Sequence, residues 1–246
     1  MHRFFVDPQQ ISGNRVQFTP DIDHQLRRVL RLQDGDEVLV LDNQGGIYEV
    51  KLVLSAEGQV YGEIQQRGRA DTEPSHALTL FIGLTQREKF EWILQKGTEI
   101  GVTRFVPFIS ERSLVQKSAK AEKKGQRWQA ILREAAEQSH RGRVPVLEDV
   151  LSYAEALKLA VDEHDICLIP WEEEQHLSLR ESMAKAASIQ SVALMIGPEG
   201  GFSAREVQAA VASGFISVTL GKRILRMETA AIAAAAMVLF ALGDMD

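Results

Sequence analysis

The segment IGPEGG, beginning at Ile196, has the composition of a ligand-binding loop. An apolar run that predicts a strand ends at Ile196, and Pro198 fixes the backbone φ directly after it. Gly200 and Gly201 remove two Cβ atoms, so backbone amides in this loop can approach a ligand closely. A plain strand-to-helix turn is the alternative interpretation, because glycine pairs often form such turns.

A helix is predicted immediately after these glycines, in the continuation FSAREV. Ser203 is a natural N-cap, and Glu206 stands three residues later, which is the spacing of a capping box. The glycine loop would then be held against a helix N-terminus, where main-chain N–H groups bind anionic or hydrogen-bonding ligands.

A second strand-to-helix loop lies in LGKRILRMETAAIAAAAMVLF, residues 220–240. The loop carries Arg223, Arg226 and Glu228 before an alanine-rich helix, whose small residues allow close packing. A structural alternative is that Glu228 stabilises the helix N-terminus and pairs with Arg226 at the surface.

Several common chemistries have no support in the sequence. The chain lacks the G-x-G-x-x-G dinucleotide fingerprint, the G-x-x-x-x-G-K-[ST] phosphate loop, the H-E-x-x-H zinc motif and spaced Cys/His clusters, so we expect no metal site. The single cysteine, Cys167, excludes a disulfide within the chain and lies in an apolar run that predicts a core position.

The elements that position these loops follow an alternating pattern after residue 77, which predicts an α/β fold with a mostly parallel sheet covered on both faces. Ligands bind such sheets at the carboxyl ends of the strands. The candidate strands are residues 78–84, 104–109, 165–169, 191–196 and 216–220. The candidate helices are residues 88–100, 121–140, 152–161, 178–187, 203–213 and 228–242.

The N-terminal part has a different pattern. Residues 37–64 alternate short apolar and polar runs, which predicts a β-meander with turns at 43–46 and at Glu57-Gly58. This meander indicates a small barrel-like domain. The polar segment GRADTEPSH at residues 68–76 separates the two patterns, and we place the domain boundary there, between residues 1–72 and 73–246.

Charge is distributed unevenly along a chain with a net charge of −6. Residues 112–143 carry nine Lys or Arg and three Glu, whereas residues 144–190 carry three basic and ten acidic residues. The net charge argues against a protein that coats nucleic acid, but the basic stretch suits a local phosphate contact. A solvated helix face is the alternative.

Targeting signals are not apparent. The start MHRFFVDPQQ lacks the apolar stretch of a signal peptide, and residues 230–242 are shorter than the roughly 20 apolar residues that span a bilayer. We therefore expect a cytoplasmic protein that acts away from membranes.

Together the two loops resemble the cofactor-binding pair of the knotted SPOUT methyltransferases, and the LR-x-E-T-A form resembles the RsmE family of 16S ribosomal RNA uracil-N3 methyltransferases. The resemblance covers nearly the whole chain. It extends to HQLRRVLRLQDGDEV in the N-terminal part, REKFEWILQKGTEIG at 87–101, ISERS at 109–113 and REAAEQSHRGRVP at 133–145.

The resemblance implies a PUA-like N-terminal RNA-binding domain, a C-terminal domain with a deep trefoil knot, and a homodimer with active sites near the subunit interface. It also implies that S-adenosylmethionine binds in the knot loops. Carried onto this chain, the cofactor residues are Leu84, Thr85, Ile196, Gly197, Pro198, Glu199, Gly200, Gly201, Leu220, Gly221, Ile224, Leu225, Arg226, Glu228, Thr229 and Ala230.

The implied reaction requires that uracil N3 lose its proton before it attacks a methyl group. We expect Arg112 or Arg226 to stabilise the resulting anion and Glu228 or Glu199 to act as the base. The implied partner is 16S ribosomal RNA, within the small ribosomal subunit, and not DNA. The expected RNA contacts are Arg27, Arg28, Arg31, Lys120, Lys123, Lys124, Arg141 and Arg143.

Three alternatives remain open from the sequence. Other SPOUT enzymes act on transfer RNA, although those that methylate ribose resemble one another in a Ser/Asn-containing third loop where this chain has ETA. A non-catalytic RNA-binding assembly protein could keep the fold without turnover. A general nucleotide-binding α/β protein would be stabilised by NAD or ATP.

Overall fold

The computed structural model describes residues 1–55, 59–113, 121–184 and 189–245, with only the backbone at 121–124. The chain forms two compact units. The first comprises Met1–Glu73 and Ala136–Val144, and the second comprises Pro74–Ala135 and Pro145–Asp246. The predicted division between residues 72 and 73 did not include Ala136–Val144 in the first unit.

The first unit is built around strands β1 (Arg3–Phe5), β2 (Ile11–Ser12), β3 (Arg15–Gln17), β4 (Glu37–Leu41), β5 (Gly46–Leu54) and β6 (Val60–Arg69). They form a sheet in the order β1-β4-β5-β6-β3-β2, in which β1 and β4 are parallel and the other pairs antiparallel. A core of alternating strand residues, including Val38, Val50 and Ile64, packs on one side. The predicted meander is therefore confirmed as β4 to β6.

The first hairpin turn has the geometry that its composition predicted. Asn43 and Gly45 have φ values of 60° and 95°, in the left-handed region. The Asp42 carboxylate accepts hydrogen bonds from the amides of Gln44 and Gly46, each at 2.8 Å, which stabilises the turn. The second predicted turn, Glu57-Gly58, lies outside the described residues.

Short helical segments complete this unit. A 3₁₀ turn (Pro8–Gln10) follows β1, and α1 (Pro20–His24) continues into a π-helical turn (Gln25–Val29). The Thr19 hydroxyl caps α1 by accepting the amide of Ile22 at 3.4 Å.

The second unit contains strands β7 (Ala77–Gly83), β8 (Arg104–Ile109), β9 (Val146–Leu147), β10 (Leu151–Ser152), β11 (Ile166–Pro170), β12 (Ser191–Ile196) and β13 (Ile216–Val218). All pairs are parallel, in the order β10-β8-β7-β12-β11-β13, with β9 beside β8. The predicted parallel sheet is confirmed. The two-residue strands β9 and β10 are too short to give a sequence pattern.

Helices of the second unit are α2 (Arg87–Ile100), α3 (Ala121–Gln138, whose last residues belong to the first unit), α4 (Tyr153–Glu163), α5 (Leu179–Ser182), α6 (Ala204–Ser213) and α7 (Met227–Leu242). They lie close to the predicted bounds, except that α5 ends at Ser182, and residues 185–187 of the predicted helix lie outside the described residues. The trefoil knot stays a prediction.

The core of the second unit is apolar on both faces of the sheet, as parallel strands require. Cys167 lies in this core, which confirms its predicted position, and burial raises the pKa of its thiol to about 11. Within the described ranges, no helix combines the length and apolar character needed to cross a membrane.

Gly97→Ala tests the packing of α2 on the sheet. An added Cβ would lie 2.8 Å from the ring of Phe105, which is fully buried and has no room to move. We expect the free energy of unfolding to fall by roughly 1–3 kcal/mol, although alanine favours helices over glycine.

Gly125→Ala in α3 is the matched control, because an added Cβ there meets no atom of the described residues within 4 Å. Its free energy of unfolding should stay the same or rise by up to about 1 kcal/mol. Urea denaturation measures both variants, and equal effects would contradict the packing of α2 described above.

Candidate functional site

A cavity of about 510 Å³ lies at the carboxyl ends of β11, β12 and β13. Its wall consists of residues 170–172 after β11, residues 196–202 after β12, residues 219–228 and Ala230 after β13, and Lys89 of α2. This is the edge of a parallel sheet at which ligands bind.

Most of the residues predicted to bind the cofactor line this cavity: Ile196, Gly197, Pro198, Glu199, Gly200, Gly201, Leu220, Gly221, Ile224, Leu225, Arg226, Glu228 and Ala230. Leu84, Thr85 and Thr229 do not line it. Leu84 and Thr85 are buried, and the Thr85 hydroxyl donates a hydrogen bond to Glu199. Thr229 is exposed on the first turn of α7.

The backbone at the end of β7 lies very close to the backbone that follows β12. An added Cβ on Gly83 would lie 2.6 Å from the nitrogen of Pro198 and 3.1 Å from the carbonyl carbon of Gly197. Only glycine allows this contact, which brings the glycine loop against the sheet edge.

The glycine loop is rigidly connected to α6. The Gly201 amide donates to the Pro198 carbonyl at 2.9 Å, and Gly201 has a φ of 66° that glycine adopts without strain. Ser203 is the N-cap of α6, and its hydroxyl accepts the Glu206 amide at 3.2 Å while the Glu206 carboxylate accepts the Ser203 amide at 2.9 Å. The predicted capping box is confirmed.

Two donors hold the side chain of Glu199, which is itself part of the glycine loop. Thr85 donates to its Oε1 atom, and Lys89 Nζ lies 3.3 Å from the same oxygen. Burial raises the pKa of Glu199, but hydrogen bonds from Thr85, from its own backbone amide and from Lys89 outweigh burial and lower it overall. Its Oε2 atom is buried, and no hydrogen-bond partner for it lies among the described residues.

The loop between β13 and α7, together with the first turn of α7, places exposed cations at the cavity rim and a carboxylate with a buried oxygen in the cavity wall. Lys222, Arg223 and Arg226 are exposed on the rim, together with Ile224, which is 86% exposed. Glu228 lies in the first turn of α7, where the helix dipole favours a carboxylate. Its Oε2 atom is buried and has no partner within the described part of the chain.

Arg112 lies in the loop after β8 and contacts the outer side of the glycine loop. Its Nη1 atom donates to the Gly200 carbonyl at 3.0 Å. An added Cβ on Gly200 would lie 3.1 Å from the Cβ of Arg112. Arg112 is thus attached to the cavity wall without lining the cavity.

Trp171, Glu172 and Lys89 line the cavity but were not predicted as site residues. Trp171 packs against the core of the second unit, and its indole nitrogen is buried, with no partner in the described ranges. The available signal was its position directly after the predicted strand at 165–169, where a parallel sheet presents its ligand-binding residues.

The predicted RNA contacts on the first unit differ in exposure. Arg27, Arg28 and Arg31 are exposed, and Arg27 Nη1 lies 3.8 Å from the Asp23 carboxylate. Arg143 is exposed and donates to the Gln44 carbonyl at 3.3 Å. Lys120 lies outside the described residues, and the side chains of Lys123 and Lys124 are likewise outside them.

Arg141 was expected to contact RNA, but the structure buries it. Only 3% of the residue is exposed, and its Nη2 atom lies 2.6 Å from Glu73 Oε2. The other oxygen of Glu73 accepts the amides of Gly142 and Arg143 at 3.0 and 3.2 Å. Arg141 therefore stabilises the segment 136–144 within the first unit, and a surface ligand does not reach it.

Comparisons with known proteins agree with these features. Residues 72–239 match the family described as the RNA methyltransferase domain, and residues 26–65 match the RNA methyltransferase PUA domain. The ribosomal RNA small subunit methyltransferase E of Synechocystis is 35% identical over 96% of this chain and 77% of its own length. The enzyme of that name from Bacillus subtilis is 32% identical over 94% of this chain and 93% of its own length.

Solved structures are similar across the whole chain. The ribosomal RNA small subunit methyltransferase E of Neisseria gonorrhoeae, bound to S-adenosylmethionine, has a TM-score of 0.84 and 32% identity over 96% of both chains. A methyltransferase of Legionella pneumophila with bound S-adenosylmethionine has a TM-score of 0.87 and 26% identity over 97% of both chains. The chain therefore belongs to the RNA methyltransferase family that includes the ribosomal RNA small subunit methyltransferases E, with a PUA-like domain at its N-terminal end.

Proposed function

We propose that the protein transfers a methyl group from S-adenosylmethionine to N3 of a uridine in 16S ribosomal RNA. The proposal is carried by one observation: the cavity is lined by residues with buried polar atoms that a ligand could bond, and cations lie on its rim. Trp171 Nε1, Glu199 Oε2 and Glu228 Oε2 are buried atoms whose partners are not among the described residues, and all three residues line the cavity.

The residues of the cavity fit this cofactor. Its volume of about 510 Å³ lies within the roughly 300–1,000 Å³ of small-molecule sites. The buried oxygen of Glu199 suits an ammonium group, a sulfonium or ribose hydroxyls, and the indole N–H of Trp171 suits an acceptor such as a carboxylate. When bound, S-adenosylmethionine supplies an electrophilic methyl group.

Glu228 is the preferred base for the N3 proton. Glu199 was the other candidate, but Thr85 and Lys89 hold one of its oxygens and lower its pKa, which makes it a weaker base. We therefore assign Glu199 to cofactor binding. As Glu228 takes the proton, the N3 electron pair becomes available to form the new bond to the methyl carbon, whose bond to sulfur would break with its electron pair to leave S-adenosylhomocysteine.

Before the methyl group is transferred, an arginine stabilises the negative charge that loss of the N3 proton spreads onto the uracil carbonyl oxygens. Arg226 lies on the rim directly before Glu228, and Arg112 contacts the glycine loop. Both remain candidates, since Arg226 lines the cavity and Arg112 is bonded to its wall.

RNA binding is assigned to residues 1–72 together with the cavity rim, and methyl transfer to residues 73–246. The rim cations Lys222 and Arg223 add to the predicted contacts at Arg27, Arg28 and Arg31. We also propose a homodimer, which is supported by the exposed apolar residues Met237 and Phe240 of α7. A small ribosomal subunit as substrate would place the reaction in the cytoplasm.

Methyl transfer tests the proposed function directly. Small ribosomal subunits from cells that lack the protein are incubated with it and labelled S-adenosylmethionine, and the RNA is digested to nucleosides. We expect labelled 3-methyluridine. Label in another nucleoside, or only in transfer RNA substrates, would contradict the assignment, and cofactor binding without any transfer would favour a non-catalytic assembly protein.

Glu228→Gln tests the base. The side chain keeps its size but loses the ability to take a proton, so we expect kcat to fall by about 10²- to 10⁴-fold. The Kd for S-adenosylhomocysteine, measured by calorimetry, should change much less. Retention of the full kcat would remove Glu228 from the chemistry.

Arg28→Ala tests the RNA surface of the first unit. Loss of one phosphate contact should reduce the slope of log K against log salt concentration by roughly 0.7–0.9. Lys158→Ala is the control, because Lys158 is an exposed residue of α4 paired with Asp162 and assigned no RNA contact. Filter binding to 16S ribosomal RNA measures both slopes, and an unchanged slope in Arg28→Ala would exclude that contact.

A further inference from the structure

One buried carboxylate of α6 joins two loops of the second unit. Glu206 is 6% exposed, and its Oε2 atom accepts the Ser203 amide at the end of the glycine loop. Its Oε1 atom accepts the hydroxyl of Ser110 at 2.8 Å and the amide of Glu111 at 2.9 Å, both in the loop after β8. The same side chain therefore caps α6 and fixes a second loop.

That second loop carries Arg112. Besides the hydrogen bond from Arg112 to the Gly200 carbonyl, the Ser203 hydroxyl lies 2.9 Å from Glu111 Oε2. Tyr153 also holds the first turn of α6, because its hydroxyl donates to the Glu206 carbonyl at 2.8 Å. The position of Arg112 is thus connected with that of the glycine loop through side-chain hydrogen bonds.

Another capping box in the same unit shows what capping alone requires. In α4, Ser152 and Glu155 exchange the same pair of hydrogen bonds, but Glu155 is exposed. Burial of Glu206 is not needed for a helix cap. Burying a carboxylate costs free energy, which its hydrogen bonds to both loops must offset.

We propose that Glu206 is a positioning residue that couples occupation of the glycine loop to the placement of Arg112. The proposal rests on the proposed function, in which the glycine loop binds S-adenosylmethionine and Arg112 is one of the two candidates that stabilise the uracil anion. When a ligand orders residues 197–203, the Glu206 carboxylate is ordered with them and holds Ser110 and Glu111. Arg112 is then fixed beside the loaded cavity before RNA arrives.

Glu206→Gln tests the hydrogen bonds that connect the two loops without changing the size of the side chain. Glutamine keeps the size of glutamate but has one acceptor oxygen and an NH₂ group, which donates. The NH₂ group must then face either the Ser203 amide or the two donors of the β8 loop. One side of the connection is lost, while the other can persist.

Hydrogen–deuterium exchange of backbone amides tests this coupling without relying on catalysis. The wild type, Glu206→Gln and Glu155→Gln are compared with and without S-adenosylhomocysteine. In the wild type, we expect the ligand to slow exchange in residues 197–203 and, by about tenfold, in residues 109–113. Glu206→Gln should keep the first effect and lose most of the second, and Glu155→Gln should retain both.

Slowing at 109–113 that persists in Glu206→Gln, or that is lost equally in Glu155→Gln, would overturn the coupling. Failure of the wild type to bind S-adenosylhomocysteine at all would instead count against the proposed function. If Glu206→Gln does not fold, Ser110→Ala removes one of its donors at smaller cost. Ser110→Ala should then weaken the slowing at 109–113 while preserving that at 197–203, and an unchanged response would likewise overturn the proposal.

Kinetics provide an independent measurement. Because Glu206 acts through Arg112, Glu206→Gln should lower kcat and leave the Kd for S-adenosylhomocysteine nearly unchanged. The double variant Glu206→Gln/Arg112→Ala should be no slower than Arg112→Ala alone, since the coupled partner is already absent. Additive losses in kcat would contradict a role through Arg112.

Discussion

The cavity depends on a close contact between the backbones of two neighbouring strand ends. β7 and β12 pair in parallel up to Ile82 and Ile196, so Gly83, the last residue of β7, lies beside the start of the glycine loop at Gly197 and Pro198. An added Cβ on Gly83 would lie 2.6 Å from the Pro198 nitrogen, and the backbone there has no room to yield. This contact holds the glycine loop at the sheet edge, and the cavity forms between it and the loop after β13.

Charge is divided across this cavity in a way that suits two different ligands. Carboxylate oxygens of Glu199 and Glu228 face inward, whereas Lys222, Arg223 and Arg226 surround the opening. A cationic cofactor and a polyanionic substrate can therefore be attracted to the same site from different sides. The division explains how a chain with a net charge of −6 can act on RNA, because local charge governs the contact.

The sequence predicted the parallel sheet, the meander and both cavity loops, because these depend on periodicity, turn chemistry and resemblance. It predicted less where function depends on long-range contacts. Glu206 was recognisable as a capping residue, but its bonds to Ser110 and Glu111 join positions more than 90 residues apart. Arg141 was misplaced on the surface because the sequence does not show that Glu73, 68 residues away, pairs with it. Trp171 was missed because an aromatic residue after a strand is usually core.

The close contact between the ends of β7 and β12 shapes a cavity for an adenosyl ligand. Calorimetric titration with S-adenosylhomocysteine tests it on the wild type and on Gly83→Ala, at a temperature where circular dichroism shows both to be folded. We predict one site per wild-type chain and binding weaker by about 5- to 150-fold in Gly83→Ala, since forcing a methyl group against backbone costs about 1–3 kcal/mol. Equal affinity in the folded variant, or no binding to the wild type, would contradict this account.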